Sequence, residues 1–218
     1  MKAFDPVTDS RLDTMRRSGE VVAYFGYGSL VNRATHRTRI IAAVPARVSG
    51  WQREWQPRPD MTLNPDDQVE AALLTARRSP GSSMDGLLVF DHIDNLPAVD
   101  LRENDYHRRT VGEGDVTLRS DQTLAGMPIY IYEADPAPMP DAVYPILQSY
   151  LDAVMQGFLR EHGEAGLADF IATTGNFDIP ILVDRDWPIY PRAVELLPEE
   201  RDLIDRHLSK RGVVYRTR

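Results

Sequence analysis

Hydrophobic positions along the chain follow two regimes. From about residue 20 to 134 the apolar residues come in short runs and alternating stretches rich in Val, Ile, Tyr and Trp, the pattern of β-strands. From 141 to 218 they recur mostly at helical spacing. In the first regime, Val21-Val22-Ala23-Tyr24-Phe25 halts at Gly26 and Gly28, which predicts a buried strand emptying into a tight loop. Asn32 to Arg39 has the look of a helix start. Ile40 to Trp55 predicts a second strand, bent where Pro45 and Gly50 interrupt it, with Trp51 and Trp55 as core or rim rings. Val69 to Ala76 reads as a strand, although Ala and Leu leave a helix open. Gly81-Ser82-Ser83 then predicts a turn into a firmer strand at Asp85 to Phe90. Ile93 to Arg102 predicts a short helix, and Val111 to Leu118 and Met127 to Tyr132 predict two strands around the turn residues Ser120-Asp121.

A stiff proline linker, Asp135 to Asp141, divides the halves. Beyond it, Tyr144, Leu147, Leu151, Val154, Phe158 and Leu159 predict an amphipathic helix ending near Gly163. A second helix spans about Gly166 to Thr173 and ends at Gly175, and Pro198-Glu199-Glu200 opens a last one, with Pro and Glu where a first turn favours them. The stretch 179–192 is irregular and rich in rings and charge. Residues 57–67 form a proline- and Asp-rich loop, and those before Gly19 a tail or short helix with Arg11, Arg16 and Arg17 on a solvated face.

Length and composition narrow the classes. A chain of 218 residues suits one domain, strand-rich over 20–134 and helical over 141–218. Its 33 acidic and 25 basic residues leave a formal charge of −8 with no basic face, which argues against nucleic acid or anionic membrane as a partner. With no cysteine, thiol catalysis, zinc–thiolate sites and disulfides are excluded, and a reducing cytoplasm is the expected location. The charged, proline-broken start carries no signal-peptide core, and no apolar run is long enough to span a bilayer.

Candidate chemistry begins at Tyr27-Gly28-Ser29-Leu30. Glycines at alternate positions let the backbone approach a ligand, and successive free N–H groups can bind an anion. A dinucleotide fingerprint would need a third glycine where Val31 stands, and a P-loop would need a Gly-Lys-Ser/Thr ending. A nucleophile elbow would need glycines flanking the serine at alternate positions, but Leu30 and Val31 follow Ser29. An ordinary turn after a core strand stays open. The partner for the loop is Glu103, because Asp100, Glu103 and Asp105 crowd three carboxylates into six positions at the end of an apolar helix. Neighbouring negative charge and partial burial raise a carboxyl pKa toward the range of a general base. The plainer alternative for such a cluster is a solvated helix end.

Together, Tyr27-Gly28-Ser29-Leu30 and Val99-Asp100-Leu101-Arg102-Glu103-Asn104-Asp105-Tyr106 resemble the motifs of the gamma-glutamylcyclotransferases. Tyr150 and Gly157, on a later helix, are similar to a Tyr and Gly pair in that family, so the resemblance covers about Tyr24 to Gly157. It implies an α+β fold, a small mixed β-barrel flanked by helices, with the pocket at one mouth and the C-terminal helical segment closing the barrel or covering an edge. It also implies cyclisation of a gamma-glutamyl compound to 5-oxoproline, without metal or cofactor. In that scheme Glu103 moves the protons, the Gly28, Ser29 and Leu30 amides hold a carboxylate or oxyanion, Tyr27 supports the loop, and Tyr106 and Tyr150 wall the substrate. The partner implied is a small-molecule gamma-glutamyl substrate; the amine that leaves and the oligomeric state stay open.

Other readings of the same residues compete with it. Ser29 as a hydrolase nucleophile finds no recognisable base among the five histidines. Asp91-His92-Ile93-Asp94 resembles half a metal site, but an Asp N-cap between strand and helix is the commoner cause. The 184–192 stretch is a candidate lid, offering Arg185 or Arg192 to a substrate carboxylate, or else simple scaffold. A binding protein of the same fold, taking an acidic ligand without chemistry, is the alternative to an enzyme.

Overall fold

The computed structural model describes residues 10–57, 71–118, 124, 126–137 and 144–217. The first helix, α1 (Ser10–Arg17), leads into strand β1 (Val21–Gly26), every residue of which is buried. A 3₁₀ turn, Ser29–Val31, follows the loop, and a second, Arg33–Thr35, stands where the sequence predicted a helix start. Strand β2 (Ala42–Pro57) and strand β3 (Ala72–His92) follow as a long antiparallel pair. Then come helix α2 (Leu96–Arg102), strands β4 (Tyr106–Val111), β5 (Val116–Leu118) and β6 (Ile129–Ala134), and the short β7 (Ile146–Leu147). Helix α3 (Gln148–Thr173), β8 (Ile181–Leu182), α4 (Pro198–Arg211) and β9 (Tyr215–Arg216) complete the order. The expected proline- and Asp-rich loop beyond Pro57, the turn at Ser120-Asp121 and most of the proline linker lie outside the described residues.

The fold is α+β, as expected. Six strands form one mixed sheet in the order β4-β6-β1-β3-β2-β5, in which β1 runs parallel to β6 and every other pair is antiparallel. A small parallel sheet, β7-β8-β9, stands apart. The strand order is open, so among the described residues the barrel expected from the sequence is not closed by a backbone ladder. Side chains link the start of β3 and the end of β2 to the end of β6: Ala134 N donates to Thr75 Oγ1 at 2.9 Å, the Arg77 guanidinium bonds the Ala134 carbonyl, and Gln56 Nε2 donates to Asp135 O at 2.8 Å. The start of β3 thereby meets the end of β6 with a threonine oxygen standing where a strand carbonyl would accept.

Two predicted strands flanking a turn at Gly81-Ser82-Ser83 are in fact one continuous β3. The pairing with β2 steps from Ser49–Ser83 to Trp51–Arg78, so residues 79–82 oppose Gly50 alone. The turn signal is spent on a bulge, with Gly81 at φ 85° and Gly50 at φ 77°, and the ladder resumes on the far side. The strand expected at 111–118 is split: Val111 ends β4 and pairs with Ile129 of β6, a 3₁₀ turn at Glu113–Asp115 follows, and β5 joins β2 instead.

Helix α3 breaks at Gly163, at φ 71° and ψ −172°, where the sequence ended one helix before starting the next. Its first half is not amphipathic but buried all round, and Ser149, Asp152 and Gln156 are as covered as Val154 and Phe158. The contact that seats it is Gly157, where a Cβ would lie 2.7 Å from Asn32 N and 2.9 Å from Val31 C. Asn32 Nδ2 reaches across to Ala153 O at 2.9 Å and Gln156 Oε1 at 2.8 Å. Gly157→Ala is expected to destabilise the protein by about 1–3 kcal/mol, because backbone rather than a yielding side chain stands in the way. Chemical denaturation with an unchanged slope would register that loss, and an unchanged midpoint would contradict it.

Candidate active site

The loop after β1 is built by close approach. A Cβ at Gly28 would meet the Tyr150 hydroxyl at 2.8 Å, and Gly26 sits against Leu30 in the same way. The Tyr27 hydroxyl donates to Tyr132 O at 2.5 Å, tying the loop to β6. Asn32 Oδ1 accepts from Ala34 N at 3.0 Å and caps the second 3₁₀ turn. In the first turn, Val31 N donates to Gly28 O, so the preceding Ser29 and Leu30 amides have no carbonyl partner within it. Thr35 Oγ1 donates to Ser29 O at 2.7 Å and holds the two turns together.

Glu103 comes to this loop from the end of α2, where its amide caps the helix by donating to Val99 O at 3.0 Å. Its nearest charge is not a carboxylate but the guanidinium of Arg102, whose Nε donates to Glu103 Oε1 at 2.8 Å. The Arg102 and Glu103 side chains are 8% and 15% exposed, well inside the range where an ion pair is held rather than screened. Arg102 Nη1 also donates to Thr35 O at 2.8 Å, and Nη2 lies 3.3 Å from Ser29 Oγ. Among the described residues no hydrogen bond is formed to the other carboxylate oxygen, Glu103 Oε2. The expected crowding of carboxylates is absent at Glu103: Asp100 turns away to Arg108 at 2.6 Å and accepts the Tyr132 hydroxyl at 2.7 Å.

Two adjoining lobes of one pocket share Ser29, Leu74, Glu103, Tyr106 and Tyr150. Tyr27, Gly28 and Leu30 line the loop lobe, with Phe25 and Tyr132 behind them. The other lobe encloses about 90 Å³ and is walled by Leu73, Leu147, Tyr190 and Arg192. The residues expected around a substrate from sequence, Tyr27 through Leu30 with Glu103, Tyr106 and Tyr150, therefore surround one space. Tyr106 donates its hydroxyl to Leu74 O at 3.0 Å. Burial, and after it Tyr106, Tyr190 and Glu103, push the Tyr150 phenol well above its ordinary range; burial, then Tyr150 and Glu103, do the same to Tyr27. Both phenols are neutral at physiological pH.

The candidate lid divides. Asp184 accepts from Ser149 N at 2.8 Å and from Ile189 N at 2.9 Å, pinning 184–190 to the first turn of α3. This brings Tyr190 edge-on to Tyr150, with ring centroids 4.9 Å apart, and Arg192 over the Tyr190 ring. Arg185 does not join them. Its guanidinium is bidentate on Asp152, at 2.7 and 2.8 Å, and also binds Asp205, so it is consumed in holding α3 to α4. The sequence carries no separate signal for Arg102 or Asn32, and Tyr190 stands in it only as one ring of the candidate lid. Arg102 stood next to Glu103, but adjacency in a helix does not announce a shared pocket.

The other sequence candidates have structural occupations. Asp91 accepts from Tyr24, Thr38, His92 N and Asn95, and the turn that follows is capped by His92 Nδ1 rather than by an Asp. Among the described residues no group of three or more His, Asp and Glu side chains is disposed to hold a metal ion. The nearest side-chain partner of Ser29 Oγ is Arg102, not a histidine. Among the described residues, no helix is long and apolar enough to cross a membrane.

The architecture is an α+β fold of gamma-glutamyl cyclotransferase-like type. A solved structure described as gamma-glutamyl cyclotransferase superposes over 86% of this chain and 99% of its own, with a TM-score of 0.52 at 16% identity. An uncharacterized protein from Homo sapiens matches over 85% of this chain and 99% of its own, with a TM-score of 0.53 at 18% identity. No protein-family model matches the sequence, and a search of curated proteins found no match.

His36 gives the loop a pH signature. Its Nε2 donates to the Leu30 carbonyl at 2.9 Å, and burial, opposed by that bond and aided by Arg102, lowers its pKa to about 4. The unfolded chain binds a proton on His36 near the ordinary value of about 6.5, whereas the folded chain does so only near 4. Stability is therefore full above the unfolded value and falls as pH drops through that window. The melting temperature between pH 7 and 4 is expected to fall less in His36→Gln than in the wild type; parallel curves would count against it.

Proposed function

We propose that this chain is a metal-independent enzyme that cyclises a gamma-glutamyl compound to 5-oxoproline and releases the amine. The observation that carries this is the meeting, in one pocket, of the Gly28–Leu30 loop and a carboxylate that, among the described residues, is hydrogen-bonded through one oxygen only. The gamma-glutamyl cyclotransferase-like fold is consistent with it.

The substrate brings its own nucleophile. Its α-amine attacks the γ-carbonyl, the new C–N bond closes a five-membered ring, and the old amide C–N bond breaks as the leaving amine takes a proton. Holding the glutamyl chain folded supplies much of the rate, with effective molarities on the order of 10⁵ M or more. Proton transfer is the remaining task. Arg102 fixes Glu103 Oε1, and Oε2, unbonded among the described residues, takes the proton of the α-ammonium and passes it to the departing nitrogen. Gly28, Ser29 and Leu30 present their amides to the substrate carboxylate or to the developing oxyanion, where losing one donor costs about 10²-fold or more. The neutral phenols of Tyr27 and Tyr150 add no competing negative charge.

Glu103→Gln is expected to retain ligand binding and lower turnover by roughly 10²-fold or more, measured as 5-oxoproline release by mass spectrometry. Undiminished release would remove Glu103 from the chemistry. Arg102→Met frees the carboxylate from its anchor, so kcat is expected to fall about tenfold or more while KM changes little. A melting temperature measured alongside separates that loss from unfolding. If a gamma-glutamyl compound raises the melting temperature but none releases 5-oxoproline, the chain is a binding protein and not an enzyme.

A further inference from the structure

We infer that Arg192 selects substrates whose leaving amine itself bears a carboxylate, an amino acid or peptide rather than a neutral or cationic amine; this rests on the cyclisation proposed above. Glu103 stands where the two lobes of the pocket meet, so a gamma-glutamyl amide bond placed at Glu103 sends its halves in opposite directions. The glutamyl half enters the lobe lined by Gly28 and Leu30, and the leaving amine enters the lobe lined by Leu73, Leu147, Tyr190 and Arg192. That second lobe is walled by apolar and aromatic side chains, with Ser29 and Glu103 at its junction with the first lobe and two guanidinium groups as its cations. Arg102 is taken up by Glu103, Thr35 and Ser29. Arg192 has no carboxylate partner among the described residues; its Nε donates to the Tyr190 hydroxyl at 3.0 Å, and its guanidinium carbon lies 5.1 Å from that ring's centroid.

The arginine is thus positioned but unneutralised. Burial disfavours its charge, but the contact with Tyr190 and the proximity of Glu103 outweigh that, and Glu103 places it within electrostatic reach of the reacting centre. Tyr190, braced edge-on by Tyr150 and anchored through its amide to Ser149 Oγ at 3.2 Å, limits the rotamers of the guanidinium stacked on it. A carboxylate on the leaving amine would complete the charge balance of the lobe with a charge-assisted hydrogen bond. A polyamine tail would set a second cation beside Arg192, and an amide tail would leave the guanidinium without an anion.

The test measures 5-oxoproline release from gamma-glutamyl-alanine, gamma-glutamyl-alaninamide and gamma-glutamyl-putrescine by the wild type, Arg192→Gln and Arg192→Glu. The wild type is expected to favour the alanine compound over its amide by roughly ten- to hundredfold in kcat/KM, the worth of one charge-assisted bond. Arg192→Gln should erase most of that ratio, and Arg192→Glu should turn the preference toward the putrescine compound. Equal use of the three substrates by the wild type, or a ratio that survives Arg192→Gln, would overturn the inference and leave cyclisation standing. Calorimetric titration of the same ligands covers the converse case. With no release from any substrate, Arg192-dependent binding of the alanine compound but not the amide upholds carboxylate recognition while cyclisation fails, and binding without that preference overturns both.

Discussion

The close seating of helix α3 on the loop after β1 is the constraint from which the site follows. Only a glycine at 157 lets the helix backbone come within van der Waals distance of Val31 and Asn32, and only a glycine at 28 leaves room for the Tyr150 hydroxyl. Buried polar groups fix the approach to one register. Asn32 bonds Gln156, Gln156 Nε2 donates to Glu200 Oε2 at 2.7 Å, and Glu200 accepts from Arg160 and from Leu197 N. That chain joins loop, α3 and α4. Each member is satisfied, so it specifies the packing where a purely apolar contact could slide.

The bent β2–β3 pair supplies the opposite wall. Its bulge at Gly50 lets one half run beside β1 and the other half, carrying Leu74, turn toward the pocket. Arg53 locks the turned half to α3. It is fully buried with no carboxylate bonded to it among the described residues, lies 4.8 and 5.0 Å from the ring centroids of Phe158 and Phe170, and donates to Thr174 and Asp85 O. Burial lowers its pKa to about 10, which still leaves it charged at neutral pH. The aromatic faces and carbonyls replace the water that the guanidinium lost on burial.

Electrostatics in the pocket run opposite to what the local sequence implies. Asp100, Glu103 and Asp105 lie within one turn and a half, yet folding hands Asp100 to Arg108 and Glu103 to Arg102. The result, among the described residues, is a carboxylate with one bonded and one unbonded oxygen, in a pocket where Arg192 has no carboxylate partner. An acidic chain thus offers a site suited to an anion.

What the sequence determined by itself is what short-range physics dictates. The apolar run of β1, the loop glycines, the break at Gly163 and the Pro198 helix start are consequences of periodicity, backbone freedom and capping, and all are legible in a few consecutive residues. Tyr27, Gly28, Ser29, Leu30, Glu103, Tyr106 and Tyr150 could be gathered from sequence because their motifs resemble those of a family, and the fold sets them around one space. Tertiary structure decided the rest. The turn at Gly81 became a bulge because β2 was there to pair on both sides of it. Arg185 and Arg192 are equivalent in sequence, but Asp152 and Asp205 approach only the first. An ionisable side chain takes its role from the charges that folding brings within a few ångströms, and those charges come from elements far away in the chain.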